Sequence, residues 1–449
     1  MQNSTENSTE NNKPHNISLS TQISHVIITI VILVFTLSLT GCESLSDVFE
    51  DVREKLRFRD EEEGFEINVA SDAEPEFVIT ITDDEAEWNS FDNSYTLSDA
   101  NALASIRIDE LSSVINDYYY MMIPESEREV YDQIYDLLVN FKTDVILSTT
   151  DTDLIDHAFT CVLIDHPDIF YVKGYSIKTY TKDGKIEKIA MNGTYTMSRS
   201  RVAEMMPYLD RYYNECAVLI PAEADEYTKV KTVYEYIIKN TEYDLEAPDN
   251  QNVLSVFAVG RSVCQGYAKA TQYILNRLGI FCTLVEGTVK DDEAHVWNLV
   301  RINGEYYHLD TTWGDASYKL ISRDEDEDKE LLNPPDINYD YLCITTEDVL
   351  LTHEIREVVP IMECDSINAN YYVREGLYFT YVDDEGLSRA FKKAYENDEN
   401  TVTIKCSDEK VYKDMTDYLL VNQKIFNYLE ETSVNYVTVD EQKEIIIYL

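Results

Sequence analysis

The chain has 449 residues, of which 44% are hydrophobic, so it can form two or three cores of ordinary size and is too apolar to be disordered throughout. Its formal net charge of −48 would repel a phosphate backbone, and nucleic acid is therefore not an expected partner. The charge is compatible with basic or amine-bearing substrates, although solubility alone would also account for it.

The first element along the chain is a mainly apolar run from Val26 to Leu39, which is followed by small residues and Cys42. The run is too short for an ordinary membrane span but fits the core of a signal peptide. The letters "LTGC" at residues 39–42 resemble the lipobox of bacterial lipoproteins, in which the peptide is cut before the cysteine and the thiol receives a lipid. The resemblance implies a lipoprotein signal peptide at residues 1–41 and a lipid on Cys42 that anchors the protein to the extracytoplasmic face of the cell membrane. The alternative is an uncleaved anchor followed by a free cysteine.

Residues 42–100 are rich in acidic and small polar side chains, which predicts a partly disordered acidic tether with one candidate strand at "EFVITIT". Residues 101–222 predict an N-terminal accessory region of helices and strands. Its clearest helix is "ESEREVYDQIYDLLVNF", where apolar residues recur at helical spacing. Its clearest strands flank Asp183-Gly184, which is a hairpin signal.

Two amphipathic helices are predicted in the region from 223 to 358. In "EYTKVKTVYEYIIKN", one face collects the apolar positions Tyr227, Val230, Val233, Tyr234, Ile237 and Ile238. In "SVCQGYAKATQYILNRLG", Ser262 is the expected N-cap and Gly279 stands where the helix should end. Cys264 then lies in the first turn, near the positive end of the helix dipole. The dipole favours a thiolate but is too weak to hold one at neutral pH without a base.

A base is available in "AHVWNLVRINGEYYHLDTTWGD", which predicts a β-hairpin that turns at Asn303-Gly304. With a two-residue loop, counting outward gives the opposing pairs Ile302 with Glu305, Trp297 with Asp310, and His295 with Thr312. His295 and Asp310 then lie diagonally on one face. Their Cβ atoms would be roughly 7 Å apart, within reach of an imidazole–carboxylate hydrogen bond.

This arrangement suggests nucleophilic catalysis. Cys264 would attack a carbonyl, His295 would accept the thiol proton and later donate one, and Asp310 would orient the ring and stabilise its cationic form. The backbone N–H of Cys264 is a candidate oxyanion donor, because helix starts supply such donors. Further candidates for oxyanion or substrate contacts are Gln265, Tyr243, Asn252 and Trp297. The mechanism requires no cofactor and no metal.

Three segments carry a family resemblance: "VCQGYAKA", "HVWNLV" and "YYHLDTTWGD". In this order they resemble the motifs of the transglutaminase-like superfamily, in particular its bacterial protease-like branch. The resemblance implies a papain-like fold, in which a helix with the cysteine packs on an antiparallel sheet that carries the histidine and the aspartate. It also implies that Cys264, His295 and Asp310 form the catalytic triad, with residues 223–358 as the transglutaminase-like catalytic core.

Several other residues have competing interpretations. His308 falls on the triad face and could modulate the site, although a hydrogen-bonded sheet histidine is the simpler interpretation, and His157 and His166 are expected to be structural. The acidic run at 324–330 could bind calcium, but its spacing matches no EF-hand and a solvated loop is the simpler interpretation. The eight cysteines include no C-x-x-C pair, which argues against a zinc or redox motif. If Cys42 is lipidated, at least one of the other seven stays unpaired.

Residues 359–449 predict a small C-terminal α/β module. The segments typical of strands are "NYYVREGLYFTYV", "TVTIKCS", "VNYVTVD" and "EIIIYL". The segments typical of helices are "GLSRAFKKAYEN" and "DEKVYKDMTDYLLVNQKIFNYL". The predicted fold class is therefore α+β, with an accessory region before the papain-like core and this module after it.

Two functions fit this organisation. The first is a membrane-anchored, extracytoplasmic thiol enzyme that acts on protein or peptide amides through an acyl-enzyme. It would be a peptidase or amidase if water is the acceptor and a transamidase if an amine is. The alternative is a non-catalytic surface adaptor whose papain-like fold binds peptide or cell-wall components.

Overall fold

The computed structural model describes residues 78–81, 117–182, 184–247, 249–289, 292–315 and 337–449. All of them belong to one compact unit, Ser71–Leu449. The predicted signal peptide, Cys42 and the acidic run at 324–330 lie outside the described residues. Among the helices of the described part, none is both long and apolar enough to cross a membrane.

The accessory region combines helices with a four-stranded sheet. Its helices are α1 (Tyr118–Met122), α2 (Glu125–Asn140), α3 (Thr152–Asp165) and α4 (Arg199–Ala217). Its strands are β1 (Val78–Ile81), β2 (Val145–Ile146), β3 (Val172–Lys182) and β4 (Lys185–Tyr195), in the sheet order β1-β3-β4-β2. The predicted hairpin is present, because Lys182 pairs with Lys185 around the turn. Strand β1, which comes from the predicted tether, pairs in parallel with β3.

The region that follows places helices against a five-stranded antiparallel sheet. Its helices are α5 (Glu226–Asn240), α6 (Cys264–Arg277), α7 (Thr311–Gly314) and α8 (Thr346–Val349). A short parallel pair is formed by β5 (Glu242–Tyr243) and β6 (Arg261–Ser262). The main sheet has the order β10-β9-β8-β7-β11, from β7 (Cys282–Val289), β8 (Glu293–Ile302), β9 (Glu305–Leu309), β10 (Leu342–Ile344) and β11 (Glu354–Ile355). Helix α6 packs against α5 and against β7 and β8, and this contact brings the cysteine helix to the sheet.

The start of α6 differs from the sequence prediction. The helix begins at Cys264 itself, and the residue that flanks it is Val263, whose side chain makes no capping hydrogen bond. Ser262, the predicted N-cap, lies instead in β6, where its Oγ is 2.6 Å from Ser255 Oγ and donates to the Asn250 carbonyl oxygen at 2.8 Å. The hydroxyl is thus used to hold the preceding loop. The predicted end is correct, since Gly279 has a φ of 78° and stops the helix.

The hairpin of β8 and β9 agrees with the prediction near its turn and departs from it at its far end. Asn303 and Gly304 have φ values of 51° and 88°, as a type I′ turn requires. The predicted register is present, with Ile302 opposite Glu305 and Leu299 opposite His308. However, β9 ends at Leu309 and α7 begins at Thr311, so the predicted pairs of Trp297 with Asp310 and of His295 with Thr312 do not form. The reason is that Asp310 caps a helix instead of continuing the strand.

The C-terminal module has its own hydrophobic cluster. Its helices are α9 (Tyr371–Glu375), α10 (Asp384–Glu396) and α11 (Glu409–Thr416). Its strands are β12 (Tyr378–Phe379), β13 (Thr401–Cys406), β14 (Asn435–Val439) and β15 (Glu444–Tyr448), in the order β12-β13-β15-β14. The prediction of a continuous strand at "NYYVREGLYFTYV" is wrong. Asn370 caps a short helix there by accepting from the Tyr372 N–H, and Gly376, with a φ of 76°, ends it.

Candidate active site

The structure brings the three predicted side chains together. His295 Nε2 lies 2.7 Å from Asp310 Oδ2, and the same ring hydrogen-bonds the side chain of Cys264. Because Nε2 is engaged by Asp310, Nδ1 is the ring nitrogen left for the thiol. His295 and Asp310 are only 3% and 2% exposed, so the ring and the carboxylate meet out of contact with bulk water.

The position of the sulfur is fixed by close packing at the start of α6. Cys264 is partly exposed, whereas the other six described cysteines are buried, and all seven are free. A Cβ atom at Gly266 would lie 1.9 Å from Ser262 Oγ and 2.9 Å from the Asn250 carbonyl oxygen. The loop before α6 therefore packs directly on the first turn of the helix, and it can do so only because residue 266 has no side chain.

Asp310 is held at both of its carboxylate oxygens. Oδ1 accepts hydrogen bonds from the backbone N–H groups of Thr312 at 2.8 Å and Trp313 at 3.1 Å, which makes Asp310 the N-cap of α7. Oδ2 accepts from His295 Nε2 at 2.7 Å and from His353 Nε2 at 3.0 Å. Four donors thus fix the carboxylate, and its orientation does not depend on His295 alone.

The electrostatics of the pair follow from these contacts. Burial disfavours the charged ring of His295, but the Asp310 carboxylate and the hydrogen bonds to Asp310 and Cys264 outweigh it and raise the pKa of His295 from 6.5 to about 10. Burial also acts to raise the pKa of Asp310, yet the two imidazole rings hold it well below its ordinary value. At neutral pH the pair is therefore an imidazolium and a carboxylate. A positive ring in contact with the sulfur stabilises negative charge on it.

His353 is the functional candidate that the sequence reasoning missed. It follows α8, lies 43 positions after Asp310, and its side chain is fully buried. Its ring centroid is 5.3 Å from that of His295. Neither hydrophobic periodicity nor motif spacing singles out this residue, because its position beside Asp310 depends on tertiary packing.

Trp297 and His308 form a packed layer behind the catalytic ring. The Trp297 ring stacks on His295 with centroids 6.1 Å apart, is fully buried, and donates its indole N–H to His308 Nδ1 at 3.1 Å. Burial, with a smaller effect of nearby His353, lowers the pKa of His308 to about 3, so His308 stays neutral and accepts this bond. This confirms the interpretation of His308 as a hydrogen-bonded sheet histidine. Trp297, predicted as a possible oxyanion or substrate contact, has no exposed ring surface and packs on His295.

The other predicted contacts have mixed positions. Gln265 is partly exposed on the first turn of α6, beside Cys264. Tyr243 is buried in β5 with its ring 6.4 Å from that of Tyr267, and Asn252 uses its Oδ1 to accept from the Leu254 N–H at 2.8 Å. Gln265 is therefore the predicted contact that keeps an accessible side chain next to the sulfur.

An aromatic ring with accessible surface is supplied by Trp313, which sequence reasoning did not single out although it lies in the "TTWGD" motif. Trp313 is partly exposed, and its ring centroid is 6.3 Å from that of His295 and 5.0 Å from that of His353. The residue follows the Asp310 cap within α7, so the same backbone turn that holds the carboxylate also places this ring beside the imidazole.

The donor set at the site also has to be tested as a metal site. Single ligand atoms of His295, Asp310 and His353 all lie within 4.8 Å of one another. Two atoms bound to one tetrahedral zinc at about 2.0–2.2 Å would lie roughly 3.4 Å apart, whereas the N–O separations here are 2.7 and 3.0 Å, which are hydrogen-bond lengths. A metal would also need an unprotonated Nε2 on His295, against the raised pKa of that ring. The arrangement therefore fits hydrogen bonding better than metal ligation.

Comparison with solved structures shows partial overlaps at low identity. A structure described as "a TGase" is 15% identical with a TM-score of 0.24, and the match covers 36% of this chain and 48% of that one. "A Putative Cysteine Protease from Cytophaga hutchinsonii" is 14% identical with a TM-score of 0.21, covering 30% and 61%. "A Putative Protease from Parabacteroides distasonis" is 13% identical with a TM-score of 0.19, covering 31% and 36%. The chain thus spans only part of the length of the structures that it matches.

No curated protein matches the chain. A family model does match, over residues 217–311, and it is described as the transglutaminase-like superfamily. This span begins at the end of α4, contains the whole of α6 and of the β8–β9 hairpin, and ends one residue after Asp310. Residues 217–311 therefore form a transglutaminase-like domain, and this domain carries Cys264, His295 and Asp310.

Proposed function

We propose that this protein is a thiol enzyme that forms an acyl-enzyme on Cys264 from protein or peptide amides. The observation that carries the proposal is the position of the His295 ring, which hydrogen-bonds the Cys264 side chain on one side and the buried Asp310 carboxylate on the other. This is the order of nucleophile, base and orienting group that acyl transfer by a side-chain nucleophile requires.

In the first step, the sulfur of Cys264 attacks the carbonyl carbon of the amide. The proton that the thiol has given up resides on His295, because the pKa of that ring is raised to about 10 beside the Asp310 carboxylate. The C–S bond forms as the carbonyl π electrons move to oxygen. When the tetrahedral species collapses, the C–N bond breaks and the His295 proton goes to the leaving amine.

The oxyanion can be stabilised at the start of α6. The N–H groups of Gly266 and Tyr267 donate to the Val263 carbonyl oxygen, at 3.0 and 3.1 Å. The N–H groups of Cys264 and Gln265 precede these bonds and have no acceptor within the helix. They lie at the N-terminal end of the helix, where the helix dipole also favours negative charge. Trp313 would form an aromatic wall for the substrate beside His295.

In the second step, a water molecule or an amine attacks the thioester carbon, and His295 accepts a proton from it. The C–S bond then breaks, the sulfur leaves with its electron pair, and the ring again carries the proton. Water gives a peptidase or amidase, and an amine gives a transamidase. Both outcomes use the same three side chains, so the acceptor is a question for experiment.

The cellular setting belongs to the same proposal. The "LTGC" signal supports a lipid on Cys42 and attachment to the extracytoplasmic face of the cell membrane, where protein or peptide substrates are present. A Cys42→Ala variant should move the protein from the membrane fraction to the soluble fraction and should not incorporate a labelled fatty acid. Unchanged fractionation of this variant would refute lipid anchoring.

The enzymatic proposal is tested by alkylation with iodoacetamide at pH 7.5, followed by peptide mass spectrometry. The chain contains its own controls, because burial raises the pKa of each of the other described cysteines: Cys161, Cys216, Cys282, Cys343, Cys364 and Cys406. Cys264 should react much faster than these six, and His295→Ala should slow it by about a hundredfold. Cys282, fully buried in β7, reports unfolding if its own labelling rises.

A matched control for His295→Ala is His308→Ala, which removes an equally buried imidazole that does not contact Cys264 or Asp310. Its Cys264 should keep the wild-type rate. If Cys264 reacts no faster than the buried cysteines in the wild-type protein, the enzyme is ruled out and the non-catalytic adaptor is favoured. If the site is reactive, incorporation of a labelled amine into a glutamine-bearing peptide distinguishes a transamidase from a hydrolase.

A further inference from the structure

Asp310 Oδ2 is shared by two imidazole rings, and the proposed triad uses only one of them. His295 Nε2 donates to this oxygen at 2.7 Å and His353 Nε2 at 3.0 Å. Because a carboxylate only accepts hydrogen bonds, both Nε2 atoms must carry a hydrogen. A fourth side chain therefore takes part in the charge distribution of the site.

The His353 ring is held from its other side as well. Its Nδ1 lies 2.8 Å from Thr352 Oγ1, and that hydroxyl accepts from the Tyr341 phenol at 3.3 Å. Its backbone N–H donates to the Val349 carbonyl oxygen at 2.9 Å, at the end of α8. The bond to Asp310 places a hydrogen on Nε2, and the contacts on both sides fix the orientation of the ring.

His353 cannot contact a substrate, because its side chain is fully buried. Packing closes the space around it: the next residue begins β11, and the Glu354 carbonyl oxygen would lie 2.0 Å from a Cβ atom at Gly287 on the neighbouring strand. The centroid of its ring lies 4.9 Å from that of the Trp297 ring and 5.0 Å from that of the Trp313 ring. Any effect of His353 on the chemistry must therefore pass through Asp310.

Removal of His353 should leave the carboxylate in place. Oδ1 is held independently by the backbone N–H groups of Thr312 and Trp313, at 2.8 and 3.1 Å. The lost donor would therefore change mainly the charge that Oδ2 presents to His295. With one donor fewer in a buried site, the carboxylate depends more on the imidazolium for its stabilisation, and the pair binds its proton more tightly.

We propose that His353 is a positioning residue for the Asp310–His295 pair, and that its donation to the shared oxygen limits how tightly the carboxylate holds the proton of His295. The inference deepens the proposed function and rests on it for its catalytic meaning. In catalytic terms, His353 would let the imidazolium release its proton to the leaving amine, a step that an overly stable ion pair would slow.

The titratable groups around His295 come from the elements that pack against it. Cys264 faces the ring from α6, Asp310 from the start of α7 and His353 from the segment after α8. Two phenols also face Asp310, from α5 and from the 3-10 turn before β10, and their pKa values are raised first by burial: Tyr234 and Tyr341. They remain neutral at neutral pH, and the proposal needs no change in their charge.

The experiment compares the full chain with His353→Leu, which fills the space without a donor, and His353→Gln, which places an amide N–H near the position of Nε2. His166→Leu is the control, since it removes a buried imidazole of the accessory region, where the ring bonds Tyr131 and not Asp310. Three quantities are measured for each protein: the pKa of His295 by nitrogen-15 NMR titration, the alkylation rate of Cys264, and turnover of a chromogenic peptide amide.

His353→Leu should raise the pKa of His295 by about one unit and lower kcat about tenfold, with KM and the alkylation rate of Cys264 within about twofold of wild type. His353→Gln should restore both values, and His166→Leu should change neither. A His295 pKa that is unchanged or lowered in folded His353→Leu would overturn the proposal. Because the titration requires no activity, it still decides this inference if neither alkylation nor turnover supports the enzyme.

Discussion

Two buried carboxyl groups, one at the candidate active site and one in the C-terminal module, have opposite electrostatics. Asp310, at the candidate active site, is 2% exposed and has a pKa well below its ordinary value. Glu444, on β15 of the C-terminal module, is 1% exposed and has a pKa well above its ordinary value. Burial acts in the same direction on both groups, so the difference between them comes from their partners.

The partners differ in sign and in number. Asp310 accepts from two imidazole rings and from two backbone N–H groups, so it is stabilised as a carboxylate. Glu444 accepts from Lys405 Nζ at 2.6 Å but also hydrogen-bonds the Asp340 carboxyl, and two acids in contact cannot both ionise cheaply. Of these two buried acids, the one surrounded by donors is therefore the one whose negative charge is stabilised.

The largest expected effect comes from Asp310→Asn, which keeps the shape of the side chain and removes its charge. The pKa of His295 should fall from about 10 to below 6.5, because burial of the ring lowers it and the carboxylate is the main partner that raises it. We expect alkylation of Cys264 at pH 7.5 to slow by at least about a hundredfold. The free energy of unfolding at pH 6 should fall by about 3 kcal/mol, as measured by urea denaturation.

The pH dependence of that loss has a definite sign. The stabilisation due to the raised pKa of His295 is complete below 6.5 and is lost as the pH rises through about 10. The stabilisation due to the lowered pKa of Asp310 is complete above 3.8 and is lost only in strong acid. The stability difference between wild type and Asp310→Asn should therefore shrink between pH 7 and 10.

Asp315→Asn, which alters a buried carboxylate bonded to Tyr267, is the control and should leave Cys264 reactive. An Asp310→Asn protein with wild-type alkylation would contradict the role of the carboxylate.

Local patterns in the sequence were sufficient for the elements that carry the site. The six apolar positions predicted for α5 are the six that are buried, because an amphipathic helix on a sheet must bury its apolar stripe. The turn at Asn303-Gly304 fixed the register of β8 and β9, since only residues tolerant of positive φ fit a type I′ turn. Helix and hairpin together placed Cys264 and His295 correctly.

Features that depend on long-range contacts were missed or misread. Asp310 was predicted within a strand, but its own side chain caps α7, and a residue that competes for backbone N–H groups ends a strand as readily as it starts a helix. Ser262 was predicted as a cap, but its hydroxyl bonds Ser255 and Asn250, which lie 7 and 12 positions away. His353 reaches Asp310 through a tertiary contact that leaves no periodic trace. The sequence therefore specifies the elements, and the tertiary fold assigns the polar partners.

We expect packing, and not charge alone, to hold the sulfur of Cys264 in place. In Gly266→Ala, the new Cβ would meet Ser262 Oγ at 1.9 Å, so the loop before α6 must move. The free energy of unfolding should fall by about 2–3 kcal/mol, and Cys264 should lose about tenfold in alkylation rate as its first turn shifts. Thermal denaturation and peptide mapping measure both effects.

Gly376→Ala is the control for Gly266→Ala. Gly376 ends α9 with a φ of 76° and has open space around it, so an added Cβ strains the backbone without a clash. This variant should lose about 1 kcal/mol of stability and keep the wild-type reactivity of Cys264. If both glycine variants slow alkylation equally, the effect is a general loss of stability and not a displacement of the cysteine.

The smallest expected effect sharpens the contrast between the two carboxyls. In Glu444→Gln, the amide oxygen can still accept from Lys405, and the amide N–H can donate to Asp340. Burial and Asp340 raise the pKa of Glu444. The contribution of Glu444 to the stability of the fold is therefore complete below pH 4.5 and is lost as the pH rises, which is the opposite of the behaviour of Asp310. Between pH 5 and pH 8, the free energy of unfolding of Glu444→Gln should therefore rise by about 1 kcal/mol relative to that of wild type, as measured by thermal denaturation. Asp340→Asn also leaves a single acid and should behave in the same way. Equal pH dependence in wild type and Glu444→Gln would mean that the two acids do not share a proton, and that burial beside a lysine suffices to keep Glu444 ionised.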